Sequence, residues 1–150
     1  MKILVTGGLG FIGSHTCVEL IRKGYQVTII DNLINSNLKV LSNIERITGV
    51  KPKFYKVDLR NKNELNKIFK SHNFNGVIHF AALKSVSESV NKPKLYHDNN
   101  VGSTANLLEI ISSSNIKISL IFSSSCTVYG QSKKLPINES SPVANQKSPY

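Results

Sequence analysis

Apolar residues along this chain alternate between two textures. Short, nearly continuous apolar runs rich in β-branched residues occur at residues 2–6, from Gln26 to Ile30, from Lys53 to Val57, from Gly76 to Ala82 and from Ile118 to Phe122. Runs of that length and composition predict buried strands. Between them, apolar residues recur at spacings of three and four, which predicts amphipathic helices. One runs from Ser14 to Lys23, with Ile12, Thr16, Leu20 and Val18 or Ile21 toward a sheet and Gly24 as its stop. A second runs from Ser36 to Thr48, with Leu41, Ile44 and Ile47 inward and Gly49 closing it. A third follows the capping-box pattern Asn61-Lys-Asn-Glu64 to about Ser71, burying Leu65, Ile68 and Phe69. A single long helix is expected from about Pro93 to Ser114, and from Gly130 onward a loop carries Pro136, Pro142 and Pro149. Strictly alternating strands and helices predict an α/β fold of the Rossmann type. It is a doubly wound parallel sheet with right-handed crossovers and helices on both faces.

In such a sheet, ligands bind beyond the carboxyl ends of the strands. The strand ends therefore form the candidate site: Gly7 to Gly13, Asp31, Asp58, Phe80 to Lys84, and Ser123 to Ser125. The first of these is glycine-rich. Gly8, Gly10 and Gly13 satisfy G-x-G-x-x-G, and Gly7, Gly10 and Gly13 equally satisfy G-x-x-G-x-x-G. Placed between a strand and a helix, either spacing lets the backbone approach a pyrophosphate and points helix N–H groups at it. Asp31 ends the second strand, 18 positions after Gly13. An acid there accepts hydrogen bonds from an adenosine ribose and repels the extra phosphate of NADP, which predicts NAD as cofactor.

Composition narrows the class. The chain has 150 residues, 40% hydrophobic, enough for one domain with a substantial core. No apolar run approaches the ~18 residues of a membrane span, and no signal-peptide layout precedes the first strand. Cys17 and Cys126 lack metal-ligand spacing; both read as buried small residues in a reducing cytoplasm. The net charge of +10 raises nucleic acid as a partner. However, the lysines are spread along the whole chain without interleaved aromatics, so a nucleic-acid footprint is not expected. No metal is expected either.

Four further groups carry candidate chemistry. Asn99 and Asn100 lie in the long predicted helix, where asparagine is a poor helix former. Asn99 either bridges neighbouring backbone or holds an active-site loop or water. His79, inside a strand, reads as a satisfied core histidine rather than a catalytic one. Hydroxyls at Ser123 to Ser125 are placed to orient a substrate alcohol. Tyr150 is a candidate acid/base for that alcohol if its pKa, ordinarily about 10, is brought near 7, a differential stabilisation of about 4 kcal/mol.

These motifs resemble a known family. Thr6–Gly13 (T-G-G-L-G-F-I-G) is similar to the extended short-chain dehydrogenases/reductases. Asp31–Leu33, His79–Lys84, Glu88–Pro93, Asp98–Val101, Ser123–Gly130 and Ser148–Tyr150 resemble, more narrowly, the UDP-glucose 4-epimerases within them. The resemblance runs from residue 2 to residue 150. It implies NAD as a resident cofactor, UDP-glucose/UDP-galactose as substrates, and hydride removal and return at the sugar C4. It implies that Tyr150 removes the 4-hydroxyl proton and that Ser125 hydrogen-bonds the same oxygen. It assigns the cofactor to Gly7, Gly10, Phe11, Ile12, Gly13, Asp31, Asn32, Asn35, Ser36, Asp58, Leu59, Phe80, Ala81, Lys84, Asn99 and Ser123. Within that set Asp58-Leu59 frames the adenine, Lys84 contacts the ribose and active site, and Ser123 lies on the nicotinamide side. The family tyrosine opens a Tyr-x-x-x-Lys motif, whereas Tyr150 is the last residue of this sequence. The chain therefore resembles an amino-terminal portion. Its sheet is expected to be incomplete at the C-terminal side, its substrate domain absent and its own turnover negligible, and a homodimer is expected of the full-length enzyme. Two other readings are a stand-alone NAD-binding module and a nucleotide-sugar dehydratase. The second is disfavoured because Cys126-Thr127, not acidic residues, follow Ser125.

Overall fold

Side-chain alternation along the first strand decides the layering. In the computed structural model, which describes residues 1–132 and 135–150, β1 spans Lys2–Thr6. Its Ile3 and Val5 pack in one cluster with Cys17, Val18 and Ile21 of α1 (Phe11–Arg22) and with Leu41 and Ile44 of α2 (Lys39–Thr48). Leu4, one residue out of phase, packs in a second cluster with Leu65 and Ile68 of α3 (Lys62–Ser71) and Leu107 and Ile110 of α6 (Gly102–Ser112). The other strands are β2 (Gln26–Asp31), β3 (Lys53–Lys56), β4 (Gly76–His79) and β5 (Ser119–Phe122). All neighbours pair in parallel, in the order β3-β2-β1-β4-β5. Helices thus cover both faces of an open sheet, the doubly wound arrangement. Each fully buried Leu, Ile or Val in these clusters contributes about 1.5–3 kcal/mol. On the edge strand β3, the exposed Lys53 and Lys56 flank Phe54-Tyr55 and discourage further strand pairing.

Several expectations change. The helix expected from Pro93 to Ser114 is interrupted: α5 (Pro93–Tyr96) passes into a π turn (His97–Val101) before α6. A short helix, α4 (Val86–Asn91), lies ahead of it, capped by the Ser85 hydroxyl accepting from the Glu88 N–H. α1 starts at Phe11 rather than Ser14, and α2 at Lys39 rather than Ser36. β4 stops at His79 and leaves Phe80 to Ala82 irregular. Ile12 and Ile47, expected inward, are 60% and 53% exposed, because Gly13 and Cys17, and Leu41 and Ile44, supply the inward faces instead. Cys126 is exposed rather than buried; it opens a 3₁₀ turn (Cys126–Tyr129) after β5. Among the described residues no helix is long and apolar enough to cross a membrane.

His79 behaves as a core histidine and ties the layers together. The Thr104 hydroxyl donates to the Asn100 carbonyl (2.6 Å), so it accepts from His79 Nε2–H (3.1 Å). Nδ1 is then the acceptor for the Thr6 hydroxyl (2.6 Å). The ring is 3% exposed, and burial pushes its pKa down from 6.5 to about 4. An unfolded chain takes up a proton near pH 6.5 that the folded chain refuses until about pH 4. This stability is therefore complete above pH 6.5 and lost as pH falls toward 4, by up to about 3 kcal/mol. Urea midpoints measured between pH 7.5 and 4.5 should fall with acidification, and His79→Asn should flatten that slope. An unchanged slope in the variant would refute the assignment.

Candidate functional site

β1 and β4 lie side by side, and the chain leaves them toward opposite faces of the sheet. α1 goes to one face, while the segment after β4 leads to α4, α5 and α6. A crevice forms at such a divide, and here it is a cleft of about 460 Å³. One side is the turn after β1. Gly7, at φ 66°, donates its N–H to the Ile30 carbonyl (2.8 Å), and the Gly10 N–H donates to the Gly7 carbonyl (3.0 Å). A Cβ on Gly7 would stand 2.7 Å from the Ala81 nitrogen. One on Gly13 would press on the Gly7 carbonyl oxygen and lie 2.9 Å from Gly8 Cα. Gly7, Gly10 and Gly13 border the cleft, whereas Gly8 packs against Ile29, so G-x-x-G-x-x-G is the register that faces it. The first helical bond of α1 runs from Ser14 N–H to the Gly10 carbonyl (2.9 Å). The N–H groups of Phe11, Ile12 and Gly13 precede it, where a helix offers no partner four residues back, and their dipoles favour an anion.

The strand-end acids are held by other donors. Asp31 is 8% exposed. Its Oδ2 accepts from the Leu9 N–H (3.1 Å), and its Oδ1 from the Leu33 N–H (3.0 Å) and the Ser36 hydroxyl (2.7 Å). This carboxylate therefore joins the glycine turn to the loop after β2. Asn32 Nδ2 donates to Asp58 Oδ2 (3.1 Å). Arg60 grips Asp58 with Nε (3.0 Å), Nη2 (2.8 Å) and its backbone N–H (2.9 Å). Those bonds hold the Asp58 pKa down at about 2.

The opposite end is built from hydroxyls. Ser125 Oγ accepts from the Thr127 N–H (3.4 Å) and the Thr127 hydroxyl (3.1 Å), capping the 3₁₀ turn. Tyr150 stands edge-on to Tyr96, with ring centroids 6.5 Å apart. The Tyr96 hydroxyl donates to Glu88 Oε2 and accepts from the Ser85 N–H, both at 3.0 Å.

Every residue that the family resemblance assigns to cofactor or catalysis borders this one cleft: Gly7, Gly10 and Gly13 with Phe11 and Ile12, Asp31, Asn32, Asn35 and Ser36, Asp58-Leu59, Phe80, Ala81 and Lys84, Asn99, Ser123 and Ser125, and Tyr150; of the other candidates, Gly8, Leu9, His79 and Asn100 do not border it. The sequence reading missed Ile30, Ile34, Val57 and Ser103, which also border it. Ser103 was signalled by its spacing, four positions after Asn99, and both are buried. It is Asn100, not Asn99, that bridges backbone, since its side chain bonds both polar groups of Leu83. A second, more apolar cavity of about 400 Å³ adjoins the first, between Val101 of the π turn and Leu108 of α6 on one side and Phe122 and Val128 on the other. Among the described residues no group of three or more His, Cys, Asp or Glu is placed to hold a metal.

Close packing at the turn makes a direct prediction. Gly13→Ala should lower stability by about 1–3 kcal/mol, because two backbone segments must move. Gly102→Ala meets nothing within 4 Å and should be neutral or stabilising, by at most about 1 kcal/mol. Urea denaturation of both variants checks the pair, and equal effects would contradict it.

Comparison with known proteins agrees with the fold and the motifs. The family model described as GDP-mannose 4,6 dehydratase matches residues 4–150. The chain is 51% identical over all 150 residues to a UDP-glucose 4-epimerase of Yersinia pestis, of which it covers 44%. It is 49% identical over 140 residues to a UDP-glucose 4-epimerase of Klebsiella pneumoniae, covering 93% of this chain and the whole of that sequence. The UDP-glucose 4-epimerase from Bifidobacterium longum, solved in complex with NAD+ and UDP, matches with a TM-score of 0.96 at 47% identity. That match covers all of this chain and 44% of the other. The chain thus spans less than half the length of most relatives it matches.

Proposed function

The chain belongs to the family that the GDP-mannose 4,6 dehydratase model describes, and we propose that within it the cleft holds NAD for the 4-epimerisation of a UDP-hexose. The observation that carries this reading is the cleft itself. A side-chain-free turn and a helix start face one end, and a fixed carboxylate stands a strand away. Such a cradle suits a pyrophosphate flanked by an adenosine ribose. Gly7, Gly10 and Gly13 bring backbone close to the phosphates. Asp31, oriented by Leu9, Leu33 and Ser36, accepts from the ribose hydroxyls and repels a 2′-phosphate. Asp58 and Leu59 frame the adenine.

When bound, NAD supplies a hydride acceptor and donor for the sugar C4. The chain's own residues handle the proton. Tyr150 takes it from the 4-hydroxyl and returns it. Ser125 already accepts two bonds from Thr127, so its remaining capacity is to donate to the same sugar oxygen. Cys126 and Thr127, in place of acids after Ser125, favour epimerisation over dehydration. The lysine of Tyr-x-x-x-Lys is not within these 150 residues, so the chain alone is expected to bind NAD without turnover. The longer enzyme would be a cytoplasmic homodimer acting on UDP-glucose and UDP-galactose.

Calorimetric titration of the chain with NAD should give saturable binding. Asp31→Ala should weaken it about 10- to 100-fold, the worth of one hydrogen bond to a charged group, and narrow the preference for NAD over NADP. Equal NAD affinity in the two proteins would sink the ribose assignment. Incubated with UDP-galactose and NAD, the 150-residue chain should yield no UDP-glucose.

A further inference from the structure

The segment that leaves β4 has no strand ladder to hold it, yet Leu83 is fixed. Asn100 Oδ1 accepts from the Leu83 N–H (2.9 Å), and Asn100 Nδ2 donates to the Leu83 carbonyl (2.9 Å). One side-chain amide thus occupies both backbone groups of a single residue, as an adjoining strand would. Asn99 Nδ2 donates to the same Oδ1 (2.9 Å). The Asn100 carbonyl in turn accepts from the Thr104 hydroxyl, which is bonded to His79. The clamp is therefore anchored in the sheet. Its position depends on the π turn His97–Val101, a distortion that often marks functional sites. Asn99 borders the cleft, whereas Asn100 stands behind the cleft wall against Leu83.

Lys84 follows Leu83 directly, and with Ala81 and Ala82 it forms that wall. We infer that Asn100 is a positioning residue for the cofactor: by clamping Leu83 it sets where Lys84 stands on the cleft wall, without touching the bound molecule. This rests on the reading of the cleft as an NAD site. Without the clamp, the wall would have to be ordered at each binding event, and affinity would fall by that cost. The adenosine end, built on β2 and β3, would be spared. Asn100 therefore divides the two halves of the cofactor in a way that general loss of structure does not.

The test uses the 150-residue chain, with NAD and ADP as separate probes. Asn100→Ala should weaken NAD about tenfold and leave ADP within about twofold, the scale of one or two neutral hydrogen bonds. Hydrogen exchange at the Leu83 amide should accelerate about tenfold or more relative to Val77 in β4. Once Lys84→Ala is present, adding Asn100→Ala should cost no further NAD affinity. Asn100→Asp keeps the acceptor for the Leu83 N–H but sets a carboxylate against its carbonyl. It should lose NAD affinity selectively as well, and it decides the matter if Asn100→Ala does not fold. If the wild-type chain fails to bind NAD, the cofactor reading falls and this inference with it. If the wild type binds and the folded variants bind NAD as tightly, or lose NAD and ADP in equal measure, the positioning role alone is overturned.

Discussion

The close passage of two backbones at the divide between β1 and β4 is the constraint on which the rest of the structure depends. Gly7 lies so near Ala81 that even a methyl group would collide with the Ala81 nitrogen. Gly13 is held equally close against Gly7 and Gly8. The first approach fixes the exit of β1 against the exit of β4; the second fixes the start of α1 against the turn. Side chains are missing there because the fold needs the room, and the same room lets a ligand's phosphates reach peptide N–H groups. Packing and binding thus impose one requirement on the same residues. The register Gly7, Gly10, Gly13 follows from geometry rather than from a motif, since Gly8 is spent on contact with Ile29.

A second consequence is electrostatic. A buried carboxylate is costly unless its oxygens are satisfied. Asp31 is satisfied by the Leu9 N–H of the glycine turn and by Leu33 and Ser36 of the following loop, so its orientation is set before any ligand arrives. Leu33 takes φ 64°, unusual for a branched side chain, in a turn that the same carboxylate stabilises. Asp58 is steered likewise by Arg60 and Asn32. Two acids at neighbouring strand ends are therefore held in fixed orientations.

Strands, layer order and cleft were legible because each leaves a local signal: a β-branched run, a helical period, a glycine at a strand end. The parts that were not legible are those where tertiary contacts choose between local options. The pattern from Pro93 to Ser114 reads as helix, and most of it is helical; period alone does not register the extra residue in the turn at His97–Val101. Two adjacent asparagines were equally eligible to bridge backbone, and only the position of Leu83 selects Asn100. Ile12 fits a helical stripe, but Gly13 and Cys17 bring α1 so close to the turn that no larger side chain enters there. Cys126 resembles a buried residue by type; the 3₁₀ turn that Ser125 caps exposes it.

The supports of the two cleft walls meet at His79. In isolation it is a satisfied core side chain with no chemistry to perform. Yet Thr6 on one ring nitrogen is the last residue before the glycine turn, and Thr104 on the other holds the carbonyl of Asn100. A neutral ring in one fixed tautomer thus links the exit of β1 to the clamp on Leu83. The two walls of the cleft, one made of glycine backbone and the other of the Phe80–Lys84 segment, are tied by a continuous chain of hydrogen bonds through the sheet. A protonated ring would have two donors, and Nδ1 could no longer accept from Thr6. The burial that depresses the histidine's pKa is therefore also what keeps the walls in register, and a polar residue inside a strand becomes intelligible as part of the site's support.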